Sequence, residues 1–314
     1  MDVLTGLLDG PRARDAFLLR GVLEPPWGLH VQDDAPLTLF AVVEGEAWVD
    51  LADGSDPRHL GQGDVAIVRG PAPYDVVDTP GRVPEVVCLP GGRCTDRAGR
   101  DLHDVMALGV RTWGNDPDGS TVLLIGIYDV EGAVGDRLLA TLPRQLVVTA
   151  DSADQRLVDL LAGEVVHDAP GQQAMLDRLL DLLLVATLRQ WFTDHLDEAP
   201  AWFRAGDDPI VGRAIRLLHD EPARPWTVAS LASEVGASRA ALARRFTEVM
   251  GEPPMSYLTN WRLALAADLL IEPGATVGSV APRVGYASPY ALSAAFSRVR
   301  GVSPRAHRMA VQGT

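Results

Sequence analysis

Two cysteines stand six residues apart in "CLPGGRC", at Cys88 and Cys94. Pro90, Gly91 and Gly92 turn the chain between them, so the two thiols can meet beside the turn and interconvert with a disulfide. The thiolate is the reacting form, and Arg93 is a neighbour that would favour it. A plainer reading stands beside this one: Cys88 ends the apolar run "PEVVCL" and is simply buried, leaving only Cys94 exposed. A zinc site on the two cysteines and His103 lacks a fourth ligand. His30 and His59 are isolated, and the run "PLTLFAVVEGEAWV" has no His-x-His pair. Metal centres need several convergent N or O donors, so no metal, no cofactor and no catalytic residue is expected. Arg111, Trp113 and Asn115 cluster in "GVRTWGN", where they either line a ligand pocket or cap a core around Trp113.

A second set of chemical groups lies on two look-alike stretches, "LASEVGASRAALARRFTEVMGEPP" (231–254) and "VAPRVGYASPYALSAAFSRVRGVSP" (280–304). Leu231, Ala232, Val235 and Gly236 match Val280, Ala281, Val284 and Gly285, at an offset of 49. One extra residue in the second turn moves the offset to 50. Ser238, Ala241, Leu242, Phe246, Val249, Gly251 and Pro254 then match Ser288, Ala291, Leu292, Phe296, Val299, Gly301 and Pro304. This is an internal duplication. Each copy reads as a short helix closed by Gly, then a Ser-capped helix with Leu and Phe four apart on its inner face. That is a helix-turn-helix, whose second helix can enter the major groove of DNA. Between the copies "PMSYLTNWRLALAADLL" forms one long helix, with Leu258, Trp261, Leu265 and Leu269 on the flank that holds both units. Two such helices on one chain reach groove segments one helical turn, roughly 34 Å, apart.

The rest of the chain must position these groups. Its 314 residues are long enough for two domains, and 47% hydrophobic with 22% charged residues describes a globular protein. All 28 basic residues are Arg. From Asp207 onward 12 Arg face 9 acids, a net of +3, whereas residues 1–206 carry 16 Arg against 33 acids, a net of −17. A polyanion would dock on the second part. The opening "MDVLTGLLDGPRARD" is a poor signal peptide, and "LLDLLLVATL" (179–188) is too short to span a bilayer. A cytoplasmic protein with resting thiols is expected, with no membrane partner.

Residues 1–148 read as short strands between Gly, Pro and Asp turns, making a small barrel or sandwich. Residues 149–206 switch to helix. The second helix there carries an apolar stripe at 175, 176, 179, 180, 182–185 and 188, wider than one buried face needs. It is either sandwiched within its own chain or covered on one side by a second protomer. "DEAPAWFRAGDDP" (197–209) reads as a linker, and residues 207–314 form the duplicated unit, with copies at about 227–251 and 277–301.

Residues 207–308, with the closing "GVSPRAHR", resemble the DNA-binding domain of AraC/XylS-type transcription regulators. The stretch "LGQGDVAIVRGPAPYDVVD" (60–78) resembles the second motif of a cupin barrel, with Tyr74 where a His often stands. The whole chain is similar to the regulators of this family that have an N-terminal cupin-like domain. The resemblance implies an α+β protein: a cupin-like β-barrel that senses, a helical linker with possible dimerisation helices, and an all-α domain with two helix-turn-helix units.

By the same resemblance the base-reading positions fall on Ala240, Ala243 and Arg244, where only Arg244 can grip guanine with two bonds. In the second unit the corresponding face is Ser288, Pro289, Tyr290, Ser293 and Ala294. This face is poorer in hydrogen bonds than better-equipped members of the family, so readout there leans on DNA shape. Arg239, Arg245, Arg298 and Arg300 are placed for phosphates, which position without specifying. The implied function is sequence-specific binding of double-stranded promoter DNA, modulated by a small-molecule effector or by thiol oxidation at the N-terminal domain. RNA polymerase is a further partner of an activator, and a homodimer is open. Two other classes stay in view: a cupin-type enzyme with an appended DNA-binding domain, for which residues 1–148 show no catalytic set, and a protein-binding adaptor.

Overall fold

The computed structural model describes residues 17–128 and 132–312, so the reading of the N-terminal fifteen residues lies outside it. Strands β1 (Phe17–Leu23), β2 (Gly28–Val31), β3 (Leu37–Glu44), β4 (Ala47–Asp50), β5 (Arg58–Leu60), β6 (Val65–Arg69), β7 (Tyr74–Val77), β8 (Val86–Leu89) and β9 (Arg93–Asp96) come first. Helix α1 (His103–Met106), β10 (Ala107–Gly109), β11 (Thr112–Gly114), β12 (Thr121–Tyr128), α2 (Ala133–Leu139) and β13 (Gln145–Val148) follow. The remainder is helical: α3 (Gln155–Val165), α4 (Gln172–Asp194), α5 (Ala201–Arg204), α6 (Val211–Asp220), α7 (Val228–Glu234), α8 (Arg239–Met250), α9 (Pro254–Ile271), α10 (Val277–Arg283), α11 (Pro289–Arg300) and α12 (Pro304–Gln312).

Among the described residues two compact units result, one of residues 17–128 with 141–195, the other of 196–312 together with 132–140. The first is built on two sheets, ordered β10-β11-β1-β12-β3-β6-β13 and β5-β4-β7-β2-β8-β9. Their facing sides close on Phe40, Val42, Ala66 and Leu123 from one sheet and Leu29, Val49, Tyr74 and Val76 from the other. Among the described residues pairing ends at β10 and β13 in one sheet and at β5 and β9 in the other, so the cupin-like fold is an open double sheet and not a closed barrel. In β4 the period-two pattern is plain, with Ala47 and Val49 buried and Trp48 and Asp50 turned outward.

Helices α3 and α4 of this unit lie on the first sheet, and the short α1 lies against β9 of the second. Tyr128, fully buried, donates its hydroxyl to the Leu180 carbonyl at 2.8 Å, which fixes α4 to the end of β12. Most of the wide stripe on α4 is buried inside the unit, including Leu176, Leu180, Leu183, Leu184 and Leu188. Met175 and Leu182 stay exposed, as does Leu160 on α3. No helix among the described residues is long and apolar enough to cross a membrane.

In the second unit the segment read as a linker is ordered. It forms α5 and a short 3-10 turn (Ala205–Asp207), because Trp202 and Ala205 are apolar enough to be buried. The long helix α9 differs from its expected single flank: Leu258 and Trp261 are buried, but so are Leu263, Ala264, Ala266, Ala267 and Leu270. A helix apolar nearly all round is one with neighbours on every side. Here they are the two helix-turn-helix copies, α12 and α2.

Candidate nucleic-acid interface

Each copy of the duplicated unit is closed by the same local bonds. Thr227 and Ser230 form a reciprocal capping box at the start of α7, and Thr276 and Ser279 form another at α10. At the turns, the Ala237 amide donates to the Ala232 carbonyl at 2.9 Å, and the Tyr286 amide to that of Ala281 at 2.8 Å. This six-to-one bond is the stop signal of a helix ending in a left-handed Gly. Ser238 and Ser288 then cap α8 and α11, each accepting from the amide three residues on, at 3.2 Å. Gly251 and Gly301 end those helices at φ 75° and 73°, a conformation that costs a side chain but not Gly. The four anchors Leu242, Phe246, Leu292 and Phe296 are fully buried. Each contributes about 1.5–3 kcal/mol of burial, so the inner faces are settled and the outer faces are free for a ligand.

On the outer face of α8 the structure brings together Arg239, Ala240 and Arg244 as exposed residues, with Ala243 half-buried beside them. Arg244 has 77% of its side chain exposed, and its guanidinium lies 3.9 Å from Glu248, a loose pair that a stronger partner can displace. Arg245 stands apart. Its Nε donates to Asp208 at 2.9 Å, and that carboxylate is itself nearly buried. On α11, Tyr290 is 83% exposed and Ala294 and Arg298 are exposed, with Ser288 and Ser293 half-buried. Arg300 is half-buried, its guanidinium 5.7 Å from the centre of the Phe296 ring, so it belongs to the packing more than to the open face.

Residues outside the two motifs hold the frame, and sequence patterning alone had not marked them. Arg262 on α9 donates to the carbonyls of Pro222 and Arg224, at 2.6 and 2.7 Å, fixing the loop that leads into α7. His219 on α6 stacks on Trp261 at 4.0 Å and bonds to the Tyr257 hydroxyl at 2.8 Å. Burial pushes its pKa down to about 3, so the ring is neutral in the folded unit. A lone histidine beside an apolar run gives no periodic signal, and its partners lie some forty residues away.

In the first unit Cys88 and Cys94 are directly opposed on the antiparallel pair β8–β9, with sulfurs 3.7 Å apart. The Cys88 carbonyl bonds to the Gln32 amide and the Cys94 carbonyl to the Leu102 amide, so neither points at the other strand. Such a non-hydrogen-bonded pair brings side chains close. The Cys94 thiol is held below the usual cysteine pKa, first of all by its hydrogen bond with Cys88, whose own thiol is pushed up by that bond and by burial. The activating neighbour is therefore Cys88, where the sequence had suggested Arg93. Both cysteines line a cavity of about 60 Å³ between the sheets, together with Asp33, Phe40, Tyr74 and Trp113. The buried Tyr74 hydroxyl has no hydrogen-bond partner there.

Trp113 is both core and cavity wall, which unites the two readings of "GVRTWGN". Its neighbours are structural: Arg111 bonds the side chains of Gln172 and Gln173 on α4, and Asn115 exchanges two 2.8 Å bonds with the backbone of Glu24. His30 is bonded to Asp75 at 2.6 Å and His59 to Glu46 at 2.9 Å. Among the described residues no group of three His, Cys, Asp or Glu side chains is placed to hold a metal ion.

Two family models match separate parts of the chain. A family model described as Cupin matches residues 2–193, and a helix-turn-helix domain model matches 231–310. A putative AraC-like transcription regulator of Streptomyces lividans is 31% identical, covering 98% of each chain. Another, from Streptomyces antibioticus, is 33% identical over 88% of each. The crystal structure of the DNA-binding domain of AdpA in complex with a target DNA is 31% identical, covering 33% of this chain and 94% of that one, with a TM-score of 0.32. With a cupin domain ahead of a duplicated helix-turn-helix, and with full-length relatives at this identity, the chain belongs to the AraC family of DNA-binding transcription regulators.

Proposed function

We propose that this regulator binds promoter DNA through α8 and α11 and that the state of the Cys88–Cys94 pair modulates the binding. Arg244 reads a guanine, Tyr290 and Ser293 follow groove shape, and Arg239 and Arg298 hold phosphates. Arg245 contributes less than its place on α8 suggests, because Asp208 already occupies it. The protein works in the cytoplasm, where resting thiols are reduced. As an activator it would act with RNA polymerase, and Leu160, Met175 and Leu182 offer an apolar face for a homodimer.

The observation that carries the modulation is the 3.7 Å sulfur pair in direct cross-strand register. A hydroperoxide balances the chemistry. The Cys94 thiolate attacks the peroxide oxygen, giving a sulfenic acid and, after proton uptake, an alcohol or water. The Cys88 sulfur then displaces the hydroxyl of that sulfenic acid, water leaves, and one disulfide forms. Closure to a bond of about 2.05 Å draws β8 and β9 together across the cavity wall. A second reading keeps the same cavity as the site of a small effector, favoured by the unpartnered Tyr74 hydroxyl.

Fluorescence anisotropy of full-length protein on its upstream intergenic DNA separates these readings, run reduced and then mildly oxidised with hydrogen peroxide. A change of tenfold or more, about 1.4 kcal/mol, that vanishes in Cys88→Ser supports the thiol pair. Tight binding indifferent to peroxide retires it in favour of an effector. Absence of binding in both states removes this DNA as a target.

A further inference from the structure

Helix α2 is a piece of N-terminal sequence built into the C-terminal unit. Its segment, residues 132–140, lies in sequence between β12 and β13, two strands of the first sheet, yet α2 packs against α9. The seat is specific. Asp268 of α9 accepts the backbone amides of Ala133 and Val134 at 2.5 and 3.1 Å, capping the first turn of α2 from a distance of 135 residues in sequence. Ala133, Val134, Gly135 and Leu138 are buried. Gly132 has φ +94°, and a Cβ there would come within 2.7 Å of the Asp268 carboxylate, so only Gly admits this approach.

From that seat α2 lies beside the support of one helix-turn-helix copy and acts by charge on the other. The Arg137 guanidinium lies 5.7 Å from the centre of the Tyr257 ring, and Tyr257 packs edge-on to Phe246, the inner anchor of α8. On the other side, Asp136 and Asp268 are the acids whose charges act on Arg300, the last residue of α11. One short helix thus packs on the support of the first reader and carries an acid whose charge acts on the end of the second. Neither contact serves the fold of the first sheet, where β12 and β13 need only a connection.

We infer that residues 132–140 are a coupling strap, through which the ends of β12 and β13 act on the relative placement of α8 and α11. Asp268 is its positioning residue. The inference rests on the reading of α8 and α11 as paired DNA readers, and it is independent of what signal the first unit receives.

Two full-length variants test it. Asp268→Ala removes the seat from the α9 side, and Gly132→Val blocks it from the strap side without touching α9. Hydrogen exchange of the peptide containing Ala133 and Val134 reads the seat, and anisotropy with hydroxyl-radical footprinting on the upstream DNA reads the consequence. In both variants the exchange is expected to quicken tenfold or more, affinity to fall at least fivefold, and protection to shrink from two adjacent major-groove segments to one. Faster exchange with affinity within twofold of wild type and both segments still protected overturns the strap. Unchanged exchange overturns the seat itself. A wild-type footprint of one segment overturns the paired-reader reading, and with it the strap, and that result is distinct from the other two because it appears without any substitution.

Discussion

Arg244 and Arg245 are neighbours of the same type, and the structure gives them different surroundings. Arg245 is bonded at 2.9 Å to a nearly buried Asp208, so removing it should loosen α8 against the segment before α6 without altering sequence preference. Arg244 is 77% exposed and only loosely paired, free to span two acceptors on a guanine edge. Arg244→Ala is therefore expected to cost about 1–3 kcal/mol of discrimination at a single base pair, leaving preference elsewhere in the site in place. Binding-site selection with the variant shows this as one relaxed position, and an unchanged motif would remove Arg244 from the reader set. The sequence could name the exposed faces because Leu242 and Phe246, four apart, settle which side of α8 is buried. It could not separate the two arginines, since Asp208 lies 37 residues from Arg245 in the chain and nothing in their spacing links them.

Elements carry a different kind of information. Both reader helices, their Ser238 and Ser288 caps and the long helix between them were legible from local patterns, whereas the capping boxes of Thr227 with Ser230 and Thr276 with Ser279 emerged only with the structure. Helix α2 was hidden in a segment otherwise read as strand, since its cap is supplied by Asp268 and not by a neighbour. The packing of α6 on α9 was hidden for the same reason, and it has a consequence for pH. His219 is neutral in the folded unit, with its pKa pushed down to about 3 from an ordinary 6.5. Between those values the unfolded chain binds a proton that the folded one does not, so stability is lost as pH falls below 6.5, by up to about 1.4 kcal/mol per pH unit. Urea midpoints at pH 7, 6 and 5 should fall more steeply for wild type than for His219→Gln. Equal slopes would mean that the folded unit admits the proton after all.

At the scale of the whole molecule the charge is divided, −17 over residues 1–206 and +3 over the rest, and this shapes how DNA binding answers to salt. Arg239 and Arg298, the two arginines proposed for phosphates, are exposed on the reader helices. Each phosphate neutralised releases counterions worth a slope of about −0.9 in log affinity against log salt, so two contacts give roughly −2. The acidic part acts in the opposite sense, repelling the same phosphates over a Debye length of about 30 Å at 0.01 M salt and about 8 Å at 0.15 M. Raising salt from a low value thus weakens both the attraction and the repulsion, and the two partly cancel. The full-length protein should give a shallow slope below about 0.05 M that steepens toward roughly −2 above about 0.15 M. Anisotropy titrations across that range distinguish this from a straight line of constant slope, which would mean that the acidic residues lie beyond reach of the DNA at every salt. A slope near zero throughout would show that the cations of α8 and α11 do not meet phosphate.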